Sequence, residues 1–279
     1  MNTSNHLPLK AAAFSLALAA TALPHGALAA DSPSSVSGQS ATTAPVADTN
    51  TLEIATGVDY SVGHYGATAD TSVVSVPIDL KAQLGKLRLQ ASLPYVFLNG
   101  PGQLVGGVIV NNPGNTATVK RDGIGDVSLS AAYLLTTESG MLPSVEIGGG
   151  VKLPTAKTTI GTGETDFSAS LSAYKSLSQQ LMLFGSVGYS WLGSPTTYRL
   201  QNGITASGGL NLRPDQNQNY GVSVAWREPV AAGLEGQAVV SPYMTYRVSK
   251  TFGLTLYGMG GLNNASPRWG AGLRFSVFK

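Results

Sequence analysis

The stretch GGGVKLPTAKTTIGTGETDF, residues 148–167, sets two lysines, two acids and several threonines among glycines. Phosphate cradles are built from such a mixture. A Walker loop, however, needs Gly-Lys followed by Ser or Thr, and here Lys157 follows Ala156. A dinucleotide fingerprint needs a third glycine where Asp166 stands. Glu164 and Asp166 could flank a substrate, but a pair at a loop end reads as solvated charge. His64, in SVGHYGA, is the other group able to move protons near neutral pH, and no partner motif lies beside it. The chain has no cysteine, no H-E-x-x-H and no D-x-D-x-D calcium loop. The expectation is no catalysis, no metal site and no cofactor, so the glycines must serve the elements around them.

Those elements begin with an address. Lys10 precedes an apolar run from Ala11 to Leu23, then Pro24, Gly26 and a small-x-small ending at Ala27 and Ala29. This is the layout of a secretory signal peptide, residues 1–29, with an apolar core too short to span a bilayer. Cleavage removes His6 and His25 and leaves His64 as the only histidine of the mature chain. Residues 30–50 are rich in Ser, Thr, Ala and Pro and read as a flexible leader. Residues 51–279 suit one large β-domain. Net charge is +2, with Lys and Arg scattered, which argues against nucleic acid as a partner. Charged residues make up only 11% of the chain, yet no later apolar run approaches the roughly twenty residues of a membrane helix.

An exported chain of that kind can still sit in lipid as a β-barrel, whose strands alternate apolar and polar residues. LEIATGVDYSV puts Leu52, Ile54, Val58 and Tyr60 opposite Glu53, Asp59 and Ser61. DVSLSAAYLL puts Leu129, Ala131 and Tyr133 opposite Asp126, Ser128 and Ser130. The same pattern recurs in SVEIGGGVKL, DFSASLSAY, YGVSVAWR and WGAGLRFSVF. A soluble sandwich alternates too. Lipid is favoured because much of the polar face is Gly, Ala and Ser, which suit a crowded interior, and because the 34 glycines run through the strands themselves.

Candidate strands lie near 52–63, 71–81, 86–97, 124–135, 143–154, 165–176, 181–192, 219–228, 237–248, 252–261 and 268–278. The tight turns AQLG, SLSQQ and VSKTFG must share the periplasmic side. That requires one further strand at 204–213 and makes twelve. Stretch 148–167 is then the outer half of one strand, an extracellular loop and the start of the next. The longest loop, 99–123, carries the apolar patch LVGGVIV. It either packs over the barrel mouth or extends two strands above the membrane.

The polar face defines the lumen. Its acids are Glu53, Asp59, Asp79, Asp126, Glu146 and Asp166; its bases are Arg88, Lys152, Arg213, Arg227, Arg247 and Arg274. The expected pore lining is Glu53, Asp59, Asp79, Arg88, Asp126, Glu146, Lys152, Asp166, Arg227, Arg247 and Arg274. Acids dominate the first half of the chain and arginines the second, so these charges either pair across the lumen and satisfy each other or make two walls of opposite sign that orient a passing solute. Closure brings the last strand to the first, so Arg274 can face Glu53 or Asp59.

Particular residues also look familiar. Gly123, Gly125 and Asp126 before a strand, Gly150, Lys152, Pro154 and Thr155 at a strand end, and Gly161, Gly163 and Asp166 opening the next follow one family's pattern. In this order they resemble the outer-membrane β-barrel family of meta-pathway phenol-degradation transporters. The resemblance covers 120–193 well and SPRWGAGLRFSVF loosely. It implies a barrel and the passage of small aromatic or other hydrophobic compounds. One departure is Lys279, which follows Phe278 where such barrels usually end on an aromatic residue.

The expectation is a twelve-stranded outer-membrane barrel acting as a passive channel. Its partners are outer-membrane lipid, a small-molecule solute and the barrel insertion machinery. A plugged surface barrel whose loops bind a partner, and a lipid-modifying enzyme using His64, are the alternatives.

Overall fold

The computed structural model describes residues 50–105, 108–110, 117–196 and 198–279. The expected signal peptide, and the leader up to residue 49, lie outside the described residues. Among those residues the chain forms strands only: β1 Asn50–Gly63, β2 Thr71–Leu84, β3 Leu87–Gly100, β4 Gln103–Val105, β5 Val108–Val110, β6 Val119–Ile124, β7 Val127–Thr136, β8 Ser144–Leu153, β9 Asp166–Ser176, β10 Leu181–Trp191, β11 Gly203–Leu212, β12 Gln218–Arg227, β13 Gln237–Arg247, β14 Phe252–Gly261 and β15 Trp269–Phe278.

β6 and β7 both pair with β3, β6 with Tyr95–Gly100 and β7 with Leu87–Ser92. They are two halves of one barrel strand, interrupted at Gly125 and Asp126. Gly125 stays tied to β3 through its N–H, which donates to the Pro94 carbonyl at 2.8 Å. Each remaining barrel strand pairs antiparallel with its sequence neighbours, and β15 returns to β1 from Glu53↔Phe278 to Val62↔Trp269. The barrel is closed and has twelve strands. The sequence places the strand before β8 at 124–135, whereas the pairing begins earlier, at Val119, because this strand rises above the rim.

Closure gives every barrel strand a partner on both sides, apart from the protruding β6, and so meets the condition for β-structure in lipid. The period of two then sends alternate side chains in and out. On β9, Asp166, Ser168, Ser170 and Ser172 face in and are buried, while Phe167, Ala169 and Leu171 face out. The outward Ile54, Val58, Leu129, Leu171, Val187 and Phe275 are all exposed, as a lipid-facing surface requires. Aromatics gather at both rims. Tyr60 packs on Trp269, Tyr95 on Phe97 and Tyr189 on Trp191 near the outer ends. Tyr133, Tyr220, Tyr246 and Phe252 stand near the opposite rim, so the two girdles frame the apolar band.

The short turns after β2, β9, β11 and β13 share one side with both ends of the barrel, the periplasmic side in this architecture. Side chains lock three of them. Ser178 Oγ accepts from the N–H groups of Gln180 and Leu181, and Ser249 Oγ from those of Thr251 and Phe252. Asp215 Oδ1 accepts from Asn217 and Gln218. Such local bonds give the backbone an alternative to the ladder and end the strands. Lys279 extends the closing seam, exchanging both backbone hydrogen bonds with Leu52 at 2.9 and 2.8 Å.

Candidate functional site

The outer mouth is covered by the segment whose placement the sequence leaves open. β4 and β5 form a small hairpin, Gln103↔Val110 to Val105↔Val108. Leu104, Val105, Val108 and Ile109 are all buried. On one side Leu104 and Ile109 pack with Val73, Val96 and Leu98 from the inner faces of β2 and β3, and with Tyr65, Ala156 and Ile160 from neighbouring loops. On the other, Val105 and Val108 pack with Leu200 and Val230 from the far loops. Gln237 Nε2 on β13 donates to the Ile109 carbonyl at 3.1 Å, so the hairpin reaches across the mouth. Its base is clamped: the Gly102 N–H donates to Thr71 Oγ1 at 2.9 Å, and Arg121 donates to the Gly100 and Gly102 carbonyls. Burying a Leu, Ile or Val is worth about 1.5–3 kcal/mol. Four such residues seat the hairpin as a lid, while the two ends of the loop prolong the paired strands β3 and β6 above the rim.

Tyr65 belongs to the lid's seat. It is a non-glycine with positive φ, 47°, and with Gly66 at φ 82° it makes the turn that the Ala67 N–H closes on the His64 carbonyl. That conformation costs a tyrosine roughly 1–2 kcal/mol, offset by burying its ring. Burial pushes the phenol up to about 12, while Ser61 hydrogen-bonds its hydroxyl at 3.1 Å. Tyr65 is therefore a neutral hydrogen-bonding group at physiological pH. Beside it lies a cavity of about 250 Å³, bounded by Val108, Ile109, Val110, Val230, Leu234 and Ala265, with Arg227, Gln237 and Glu228 at its polar edge.

Below the lid the expected lumen residues all lie on the inner face, where most are organised as ion pairs. At the outer end Lys152 Nζ bridges Asp126 at 3.3 Å and Asp166 at 3.0 Å, and meets Thr162 Oγ1 at 3.1 Å. Asp126 also accepts from the Ala156 N–H at 2.7 Å, and Asp166 from the Gly193 N–H at 2.8 Å. The glycine-rich stretch thus closes a buried salt cluster. A Cβ on Gly161 would come within 2.8 Å of the Asp126 carboxylate, so glycine there serves close approach. At mid-height Arg274 joins Asp59 at 2.6 Å and Asp79 at 3.5 Å, across the seam, as closure demands. Tyr257 donates to Asp59, and Ser92 to Asp79 at 2.6 Å. Toward the periplasm Arg88 grips Glu146 with two bonds of 2.7 and 2.9 Å, and Tyr174 donates to the same carboxylate at 3.0 Å. Glu53 takes Lys81 at 2.5 Å and Ser276 at 2.7 Å.

Of the two arrangements the sequence allows, this is the paired one. All six acids touch a lysine or arginine, so the acid-rich half is largely neutralised. Arg274 braces the seam and is not an exposed wall charge. Arg213, Arg227 and Arg247 remain half-buried on the inner face of β11–β13 and the turn beyond. Lys81, Tyr174 and Tyr257 lie outside the lining expected from the sequence. Parity could have found them: Lys81 is the next inward residue after Asp79, and Tyr174 the next after Ser172.

The rest of the inner face is small. From β7 to β12 it presents Ser128, Ser130, Gly148, Gly150, Ser186, Gly188, Ser207 and Ala225, half-exposed although they point inward. The interior is therefore not filled to core density. Larger inward rings lie flat along the wall. A Cβ on Gly221 would strike the Tyr243 ring, and one on Gly272 the Tyr257 ring; Phe184 covers Gly209 in the same way. Each aromatic rests on the bare backbone of the next strand.

His64 sits in the exposed β1–β2 loop, with Nδ1 3.2 Å from Asp70, a carboxylate also shared with Arg268 at 3.1 Å. Among the described residues no group of three or more His, Asp or Glu could hold a metal ion, and no helix is long and apolar enough to cross a membrane.

A family model described as "Putative MetA-pathway of phenol degradation" matches residues 30–278. None of the curated proteins matches the sequence. Among solved structures, an outer-membrane channel of Pseudomonas putida F1 superposes with a TM-score of 0.64 at 13% identity, over 85% of this chain and 97% of that one. The KdgM porin gives 0.55 at 8% identity, over 81% and 98%. The NanC porin gives 0.51 at 10% identity, over 82% and 99%. At such identities the likeness is one of fold: this chain is built like outer-membrane barrels.

Proposed function

The chain belongs to the phenol-degradation family whose model spans its barrel, and from that premise we propose that it is a passive outer-membrane channel for small aromatic compounds. The observation that carries this reading is the lidded mouth. A cavity of about 250 Å³, apolar on its lid side, lies against the hairpin. A dry cavity of about 150 Å³ is enough for benzene, so a substituted single ring fits. Arg227, Gln237 and Tyr65 give a ring hydroxyl or carbonyl something to bond. Below it, the small-residue wall from β7 to β12 offers a path past the ion pairs.

In this reading the acids and bases expected along the pore divide their roles. Asp126, Lys152 and Asp166 frame the outer lumen, Asp59, Asp79 and Arg274 the middle, and Glu53, Arg88 and Glu146 the lower part. Arg227 and Arg247 carry charge toward the solute path. Residues 1–29 direct export, the chain is inserted by the barrel machinery, and its apolar band meets outer-membrane lipid. It performs no chemistry on the solute. A strain lacking the chain is expected to grow more slowly than its parent on limiting single-ring aromatic substrates and equally well on short aliphatic acids. Equal growth of the two strains on every aromatic at limiting concentration contradicts the solute assignment.

A further inference from the structure

At the periplasmic end of the lumen the charge pattern changes. Lys81, Arg88, Lys152 and Arg274 each touch a carboxylate, but Arg213 and Arg247 take part in no ion pair among the described residues. Ladder register brings them together. Leu212 faces Tyr220 on β12, and Asn219 faces Thr245 on β13. Arg213, Asn219 and Thr245 therefore stand in one inward row, with Arg247 the next inward residue beyond Thr245. Asn219 is 6% exposed, and neither its Oδ1 nor its Nδ2 has a hydrogen-bond partner among the described residues. The Arg247 Nε is in the same condition. Its guanidinium lies 4.4 Å over the Phe278 ring, which fixes its plane. Asp215, the acid of the adjoining turn, spends Oδ1 on the Asn217 and Gln218 N–H groups.

Two guanidiniums on one inward patch repel, and a buried amide without partners is costly. Native interiors seldom keep such groups unless a ligand, an ion or ordered water satisfies them. The donors suit one chemistry. A guanidinium binds a carboxylate through paired N–H groups, an amide N–H adds a third bond, and the Phe278 ring, held between Arg247 and Gly253, bounds the site. We propose that Arg213, Asn219, Arg247 and Phe278 form an anion-recognition site at the channel exit that takes an aromatic carboxylate. The ring is inferred from the channel reading above, since the cavity at the mouth is ring-sized; the anion is inferred from this cluster alone.

The test is equilibrium dialysis of the full-length protein in detergent, with benzoate, benzyl alcohol and sulfate as probes, beside conductance in planar bilayers. Wild type is expected to bind benzoate more tightly than benzyl alcohol or sulfate. Arg213→Gln/Arg247→Gln is expected to lose benzoate binding by about tenfold or more, with benzyl alcohol unchanged. Asn219→Leu, which keeps both arginines, is expected to lose a smaller factor, and Arg247→Lys to recover part of the double variant's loss. The double variant removes repulsion, so its urea midpoint is expected to hold or rise, and misfolding does not obscure the result. Equal benzoate binding in wild type and double variant overturns the site. Sulfate bound as tightly as benzoate overturns the aromatic assignment. A wild type that conducts but ignores benzoate removes this site and leaves the channel standing. One that binds benzoate in an arginine-dependent way yet never conducts keeps the site and removes the channel.

Discussion

Arg88 and Glu146 show how this lumen tolerates charge. The pair is bidentate, and Tyr174 supplies a third bond to the same carboxylate. Removing one partner strands a buried charge, so Glu146→Ala is expected to cost about 3–5 kcal/mol in urea unfolding from lipid vesicles. Arg247→Gln, which breaks no ion pair, is expected to cost much less. A periplasmic residue carries the pH dependence. Burial pushes the Glu138 carboxyl up, but bonds from Lys175 and from the Ser176 hydroxyl and N–H hold it below its ordinary range. A depressed carboxyl stabilises the fold fully above its unfolded value, about 4.3. That contribution is lost as pH falls through the lower folded value. The pair is partly solvated, so the effect is expected to stay below about 1 kcal/mol. Unfolding midpoints between pH 7 and 3 are expected to fall less in Glu138→Gln than in wild type; identical slopes contradict the assignment. Some of these contacts were legible in the sequence. Arg274 and Asp59 meet because a closed barrel joins its last strand to its first. Arg88 and Glu146 meet across an intervening strand, on a register that local pattern does not carry.

Among the elements, strands were the most legible part, because alternation and turn residues are local. β9 is expected at 165–176 and found at Asp166–Ser176; β14 is expected and found at 252–261. Their two faces differ in what they tolerate. Leu171 faces out and is 48% exposed, while Ser170 faces in. Leu171→Arg is expected to impair folding into lipid by about 2–4 kcal/mol near the midplane, and Ser170→Arg by much less. Equal costs contradict the facing. The hairpin of β4 and β5 was the least legible element, since an apolar patch in a long loop fits either placement. Contacts distant in sequence, Val230, Leu200 and Gln237, decide it. Leu104→Asp/Ile109→Asp is expected to unseat the lid, so that a protease added outside cuts within 99–123 while the barrel's urea midpoint moves little. A hairpin that stays resistant shows that its seat does not rest on these two side chains.

For the whole molecule, strand count followed from parity once the short turns were assigned to one side, and the closed twelve-stranded sheet agrees. Charge distribution along the sequence allowed either paired charges or two opposed walls. Folding places Lys81, Arg88, Lys152 and Arg274 among the acids and leaves the uncompensated positive charge near the periplasmic exit. The barrel is therefore closed outside by an apolar lid and lined inside by small residues and paired charge. Single-channel recording tests it most directly, with wild type and Leu104→Asp/Ile109→Asp inserted into planar bilayers under identical salt. Wild type is expected to give discrete, small or infrequent conductance steps, and the unseated lid larger or longer ones. Silence from both proteins, across many verified insertions, contradicts an open path beneath the lid.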